Sequence, residues 1–316
     1  MTDVVTHSVG VLAKHAKSFR WASRLLPSDT RDDAAVVYAL CRLIDDLADE
    51  ADDEAEARLN LAELQDELEG RSEPSPLVEA FLALSKRTGL PVDAVVELIN
   101  GVRSDLDTVR FRSERDLLRY CYRVAGTVGL MMCGVLGVRD PRAIAFAIDL
   151  GVAMQLTNIS RDILEDARND RVYLPKRLLE SKGGSHDLVL HEGASKAVPL
   201  SIARLLQMAD EYYASAEHGF RYIPWRCRAA IAVAGRVYRA IGLKLARNSC
   251  RWLDGRTVVG TLGKVGASVL ALAKLPWLAL KPPVSHQHLL HSELDGLPGA
   301  NAGERVVPPA VRALAA

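Results

Sequence analysis

Two stretches of this chain place carboxylates on one stripe of a helix whose other faces are apolar, and few folds tolerate that twice. In residues 34–50 (AAVVYALCRLIDDLADE), Asp45 and Asp49 lie four apart on one helical face, which extends back through Arg42 and Tyr38. Val36, Val37, Leu40, Leu43, Ile44 and Leu47 cover the other faces, and Asp46 sits one position off the stripe. In residues 149–175, Gln155, Asn158, Asp162 and Asp166 step along one face among Leu150, Val152, Met154, Leu156, Ile159, Ile163 and Leu164. A helix that is apolar nearly all round is a buried helix. A buried carboxylate without a partner is very costly. One stripe alone reads equally as a solvated acidic face, or as an ion pair of Arg42 with Asp45 or Asp49. Two stripes on two apolar helices favour a shared ligand.

The ligand follows from the donors. Oxygen donors without His or Cys suit a hard cation, Mg²⁺ with Mn²⁺ as substitute, which typically shares carboxylates with substrate phosphates. Arg161, Arg168, Arg171 and Lys176 follow the second stripe, and the planar fork of arginine meets phosphate oxygens in pairs. The combination reads as a metal–diphosphate site.

Helix signals recur along the chain and hairpin signals are almost absent, so the expected class is all-α. The apolar content, 49%, is mostly Ala, Leu and Val, with only 5% aromatics. Ser28 is expected to cap a helix carrying Asp29, Asp32 and Asp33 in its first turn. Pro91 opens another helix, Ser113 and Asp116 form a capping-box pattern before a long helix, and Asp140-Pro141 starts one that runs to about Asp166. Residues 51–76 read as a solvated outer helix with a loop, and residues 181–195 as a connection. Residues 1–281 therefore form one helical domain, and residues 282–316, rich in Gly and Pro, a disordered tail. The tail's HQHLLH, with His286, His288 and His291, reads as incidental rather than as a metal site. Gly126 and Gly129 each cost about 1 kcal/mol against Ala inside a helix, so something, an apolar ligand or a neighbouring helix, must approach that face closely.

Lys plus Arg and Asp plus Glu number 40 each, so charge does not point to nucleic acid. Cys41, Cys121, Cys133, Cys227 and Cys250 form no CxxC pair and read as buried reduced thiols of a cytoplasmic protein. The N-terminus lacks the order of a signal peptide, and no uninterrupted apolar run reaches about 20 residues.

The segments KSFRWASRLLP, YALCRLIDDLADE, YCYRVAGTVGLMM, AMQLTNISRDILEDARNDRVYLP and VYRAIG, spread from His15 to Leu262, resemble the squalene and phytoene synthase family, nearest its bacterial phytoene synthases. The resemblance implies a single-domain isoprenoid (trans-prenyl) synthase fold with a central cavity between the two acidic helices. It implies Mg²⁺ held by Asp45, Asp49, Asn158, Asp162 and Asp166. Ser18, Arg42, Gln155, Arg161, Arg171 and Tyr173 would lie near the diphosphates, and Tyr38, Tyr122 and Tyr238 would line the cavity. Phe111 stands where a family tyrosine is expected.

The implied activity is that of a prenyltransferase of carotenoid biosynthesis. It would condense two geranylgeranyl diphosphates head to head into phytoene through a cyclopropylcarbinyl diphosphate, without NADPH. The alternatives are a squalene, dehydrosqualene or hydroxysqualene synthase acting on farnesyl diphosphate, and, from another class, a non-catalytic assembly or binding relative. The expected partners are the substrate, the inner face of the cell membrane and downstream carotenoid enzymes. Residues 264–281 (KVGASVLALAKLPWLALK) would make the membrane contact or else pack as a final core helix.

Overall fold

The computed structural model describes residues 8, 10, 21–190, 196–280 and 282–302. The first acidic stretch is α1 (Ser28–Asp49), with Val36, Val37, Leu40 and Ile44 buried. Pro27, not Ser28, occupies the N-cap position, and the Ser28 hydroxyl turns aside to Asp29. α2 (Glu54–Leu68) is capped by Asp53 and buries only Ala57, Leu61, Leu64 and Leu68, as an outer helix should. α3 (Pro76–Thr88) ends at Gly89, whose φ of 72° is a left-handed cap that favours glycine. α4 (Val92–Arg103) follows.

α5 (Glu114–Cys121) opens with the expected capping box, Ser113 and Asp116 bonding each other's backbone. The single long helix expected there is interrupted: a π-helical turn, Tyr122–Gly126, separates α5 from α6 (Thr127–Val135). α7 (Arg142–Arg168) carries the second acidic stripe and packs against α6, α9 and α10. The remaining helices are α8 (Lys176–Ser181), α9 (Ala197–Ala216), α10 (Trp225–Arg247), α11 (Thr261–Leu280) and α12 (His288–His291). Among the described residues the sole extended pairing is one bridge between Arg110 and Val172.

The glycines of the π turn and α6 are explained by helix packing. A Cβ on Gly129 would lie 2.1 Å from the Ala147 carbonyl oxygen of α7, and one on Gly151 would lie 2.2 Å from that of Ala125. The two helices thus touch backbone to backbone.

The tail is not disordered over residues 282–302. Leu294, Leu297 and Ala300 are buried, and His286 and His291 reach Asp149 of α7. Arg119 donates to the carbonyls of Glu293 and Asp295, and Tyr122 donates to that of Pro298. Gly and Pro content suggested disorder, but an irregular backbone is stable when its polar groups and three apolar anchors all find partners. Residues 303–316 lie outside the described residues.

Candidate active site

α1 and α7 line one cavity of about 410 Å³. α1 contributes from Ala34 to Asp45 and α7 from Ala143 to Asn158, spans of about 16 and 22 Å at helical rise. On both helices the lining changes from apolar to polar toward the C-terminal end: Val37 gives way to Tyr38 and Asp45, and Phe146 and Leu150 to Gln155 and Asn158. Asp49 lies one turn beyond Asp45, and Asp162 and Asp166 lie one and two turns beyond Asn158. The site is a greasy channel with an acidic end.

That end is closed by arginines. Arg171 Nη2 lies 3.6 Å from Asp49 Oδ1, tying the segment after α7 to the end of α1. Asp162 is held by Arg161, whose Nε donates over 2.7 Å, and by Arg256, 3.0 Å away. Arg256, between α10 and α11, belongs to no stripe, and no local pattern marks it. Arg42 pairs with Asp46, one helical turn on, rather than with Asp45 or Asp49.

Asp45 is therefore left without an ion-pair partner among the described residues. Burial, then the charges of Asp49, Asp46 and Asp105, outweigh Arg42 and push its carboxyl up to about 7. Asp166 is likewise pushed to about 7 by burial and by Asp162 and Glu165, against Arg171. A third acid, Asp105, was not evident as a site residue from the sequence because it follows α4 in a turn. It accepts from Tyr120 (2.6 Å) and Tyr173 (3.0 Å), and burial still lifts it to about 6. Phe111 packs against both of those rings, at 5.3 and 5.6 Å, so the aromatic cluster is intact without a hydroxyl there.

Tyr38 and Tyr238 line the cavity, and burial raises the pKa of each. Tyr122 does not line it: it is fully buried, and its hydroxyl serves the Pro298 carbonyl. Ser18 lies outside the described residues.

The donor set fits a hard divalent cation. Asn158 Oδ1 is buried and accepts no hydrogen bond, while its Nδ2 donates to Gln155. Asp45 and Asp166 have no ion-pair partner among the described residues. Unpartnered oxygens of Asp45 and Asn158, on two helices that line one cavity, are what such an ion would satisfy.

The squalene/phytoene synthase family profile matches residues 12–262. The chain belongs to the squalene/phytoene synthase family. A 15-cis-phytoene synthase from a Paracoccus species is 37% identical over 84% of this chain and 90% of its own. A phytoene synthase from Thermus thermophilus is 39% identical over 74% of this chain and 81% of its own. Among solved structures, a dehydrosqualene synthase bound to a ligand superposes with a TM-score of 0.80 at 29% identity, covering 87% of this chain and 98% of that one. Family membership accounts for the all-α fold.

Proposed function

We propose that this enzyme is a phytoene synthase, a prenyltransferase that joins two geranylgeranyl diphosphates head to head. The observation that carries this is the graded cavity, which offers one acidic end for diphosphates and an apolar length for isoprenoid tails. The names of the relatives, phytoene synthases at 33–39% identity, support the substrate class.

Asp45, Asp49, Asn158, Asp162 and Asp166 would hold the Mg²⁺, which supplies positive charge to the departing diphosphate. Arg161, Arg171, Arg256 and Arg42, with Gln155, bind and orient the phosphate oxygens. Ionisation of one substrate leaves an allylic cation, and the double bond of the second attacks it to give a cyclopropylcarbinyl diphosphate. A second ionisation, rearrangement and proton loss yield phytoene. The walls at Val37, Val128, Met132 and Leu150 keep water from the cation. Tyr38 and Tyr238 present ring faces that suit positive charge. No reductant enters this sequence, so NADPH is not required.

Purified protein given geranylgeranyl or farnesyl diphosphate separately with Mg²⁺ is expected to make a forty-carbon product from the former without NADPH. The likeness to a dehydrosqualene synthase supports the alternative reading. A thirty-carbon product made preferentially from farnesyl diphosphate, or a strict NADPH requirement, would replace the first reading with it.

We also propose a peripheral contact with the inner membrane surface, from which the hydrocarbon product passes to downstream carotenoid enzymes. Ala267, Ala271 and Leu278 of α11 face the core, but Leu262, Val269, Leu270, Trp277 and Leu280 are exposed, Trp277 by 79%. Lys264 and Lys274 are interspersed among them, and Trp near Lys suits an anionic interface. The core and membrane readings of this segment thus describe opposite sides of one helix. α7 alone among the described helices is long and apolar enough to span a bilayer, and it is mostly buried. Leu270→Ser combined with Trp277→Ser is expected to abolish sedimentation with anionic liposomes and to leave turnover in detergent unchanged. Undiminished sedimentation would remove α11 as the contact.

A further inference from the structure

Asp149 is fully buried on the face of α7 that looks away from the cavity, where nothing in the reaction requires a carboxylate. Its Oδ2 accepts from His286 Nε2 and its Oδ1 from His291 Nε2, each over 2.8 Å. The second nitrogen of His291, Nδ1, donates to the Ala300 carbonyl over 2.6 Å. Among the described residues the hydrogen-bond partners of both His291 ring nitrogens, the Ala300 carbonyl and the Asp149 carboxylate, are acceptors, so both nitrogens carry protons and the ring is an imidazolium. The His291 imidazolium and the Asp149 carboxylate thus face each other as opposite charges joined by a hydrogen bond, which a dry interior demands of buried ions.

Two imidazoles and a carboxylate could instead bind a transition metal, since their donor atoms lie within 4.8 Å of one another. The carboxylate–imidazole spacing is that of hydrogen bonds. Ligands on a tetrahedral ion with bonds of about 2.0–2.1 Å stand roughly 3.3 Å apart, whereas these stand at hydrogen-bond distance, 2.8 Å.

The cluster fastens a larger contact. Tyr212 of α9 donates to the Leu290 carbonyl, and Gly299 nests against Leu130 and Ile144. The His286 ring stands edge-on to Phe146, with centroids 5.3 Å apart, and Phe146 lines the cavity. We infer that residues 282–302 are a strap latched to the rear of α7 by a buried aspartate–histidinium pair, and that Asp149 is through this latch a positioning residue for the cavity wall.

The latch is operated by protons. Burial works to raise the pKa of Asp149, but the bonds from His286 and His291 outweigh it and hold the carboxyl below its ordinary value, so it stays ionised in mild acid. When His291 loses its proton in base, a lone pair faces the carboxylate and the strap loosens. Among the described residues, the other titratable groups around the latch include Tyr212 and Glu211 of α9, Cys121 and Arg119 of α5, His218 and Tyr222 across Phe146, and Glu293 of the strap.

The test uses the full-length chain. In ¹⁵N-histidine spectra at pH 7, both ring nitrogens of His291 are expected to be protonated. Hydrogen exchange of strap amides, corrected for its intrinsic pH dependence, should lose protection as pH rises. His291→Gln, and separately His286→Gln, should speed that exchange by about tenfold or more. They should lower kcat with the allylic substrate and leave the Mg²⁺ requirement unchanged. The exchange and spectral readouts do not depend on which prenyl diphosphate is the substrate. If neither variant folds, the spectra and exchange of the unaltered protein still decide. A neutral His291 at pH 7, unchanged exchange in a folded variant, or one zinc per chain surviving dialysis against chelator would overturn the latch. Altered exchange with unaltered kcat would overturn the positioning role.

Discussion

Replacing Asp45 with asparagine is expected to move stability and turnover in opposite directions. Asp45 is half-buried, has no ion-pair partner among the described residues, and has its carboxyl pushed from 3.8 to about 7, a penalty of up to roughly 4 kcal/mol once it ionises. Removing the charge should raise the melting temperature of metal-free protein at pH 8 by at least about 3 °C. The same change should cut turnover at saturating Mg²⁺ by roughly a thousandfold, the scale on which lost electrostatic stabilisation of a transition state is felt. Asp162→Asn should lose activity alike but gain no stability, because Arg161 and Arg256 already neutralise that carboxylate. Calorimetry and steady-state rates on both variants check the contrast. Near-normal turnover by Asp45→Asn would remove the first stripe from the mechanism.

The second large effect is on pH. Asp45, Asp166 and Asp105 all have folded-state values, about 7, 7 and 6, above the unfolded 3.8. Between those limits the folded chain keeps protons that the unfolded chain releases, so stability is greatest below about pH 4 for these groups and falls as pH rises to about 7. Metal-free protein should therefore melt on the order of 5 °C lower at pH 8 than at pH 5.5. Asp149 shifts the other way and stays ionised throughout this interval. Mg²⁺ should raise the midpoint more at pH 8 than at pH 5.5, since it competes with protons for the same oxygens. Thermal scans in chelator and in Mg²⁺ measure both slopes. In Asp45→Asn combined with Asp166→Asn the metal-free slope should flatten, and a slope that survives would place its origin elsewhere.

What the sequence discloses here is what repeats at helical period. The stripes from Tyr38 to Asp49 and from Gln155 to Asp166 were legible because acids and apolar residues alternate in register over several turns. The start of α7 was legible from Asp140-Pro141, and that of α5 from its capping box. Arg42 shows the limit of stripe reasoning, since its partner at i+4 is Asp46, off the chosen face. Contacts across long separations left no local trace. Arg256 reaches Asp162 across 94 residues, and His291 reaches Asp149 across 142. The strap looked disordered because its composition is that of a loop, while its order comes from partners on α5, α7 and α9. Tyr122 was misplaced for the same reason: its acceptor, Pro298, lies 176 residues away.

The reciprocal nesting of Gly129 on Ala147 and Gly151 on Ala125 bears on how this enzyme can be altered. Two backbones in contact leave no side chain to trim and no slack to take up, so this wall neither recedes nor admits anything larger. A library aimed at longer or bulkier prenyl chains gains nothing by randomising Gly129 and Gly151, where any side chain meets a backbone carbonyl. Room has to be won where the lining is side chain on side chain, at Val37, Met132, Leu136 or Ile231. The enzyme's capacity to diversify is thus uneven: the glycine contacts set a datum, and new specificities can be cut only from the side chains around it.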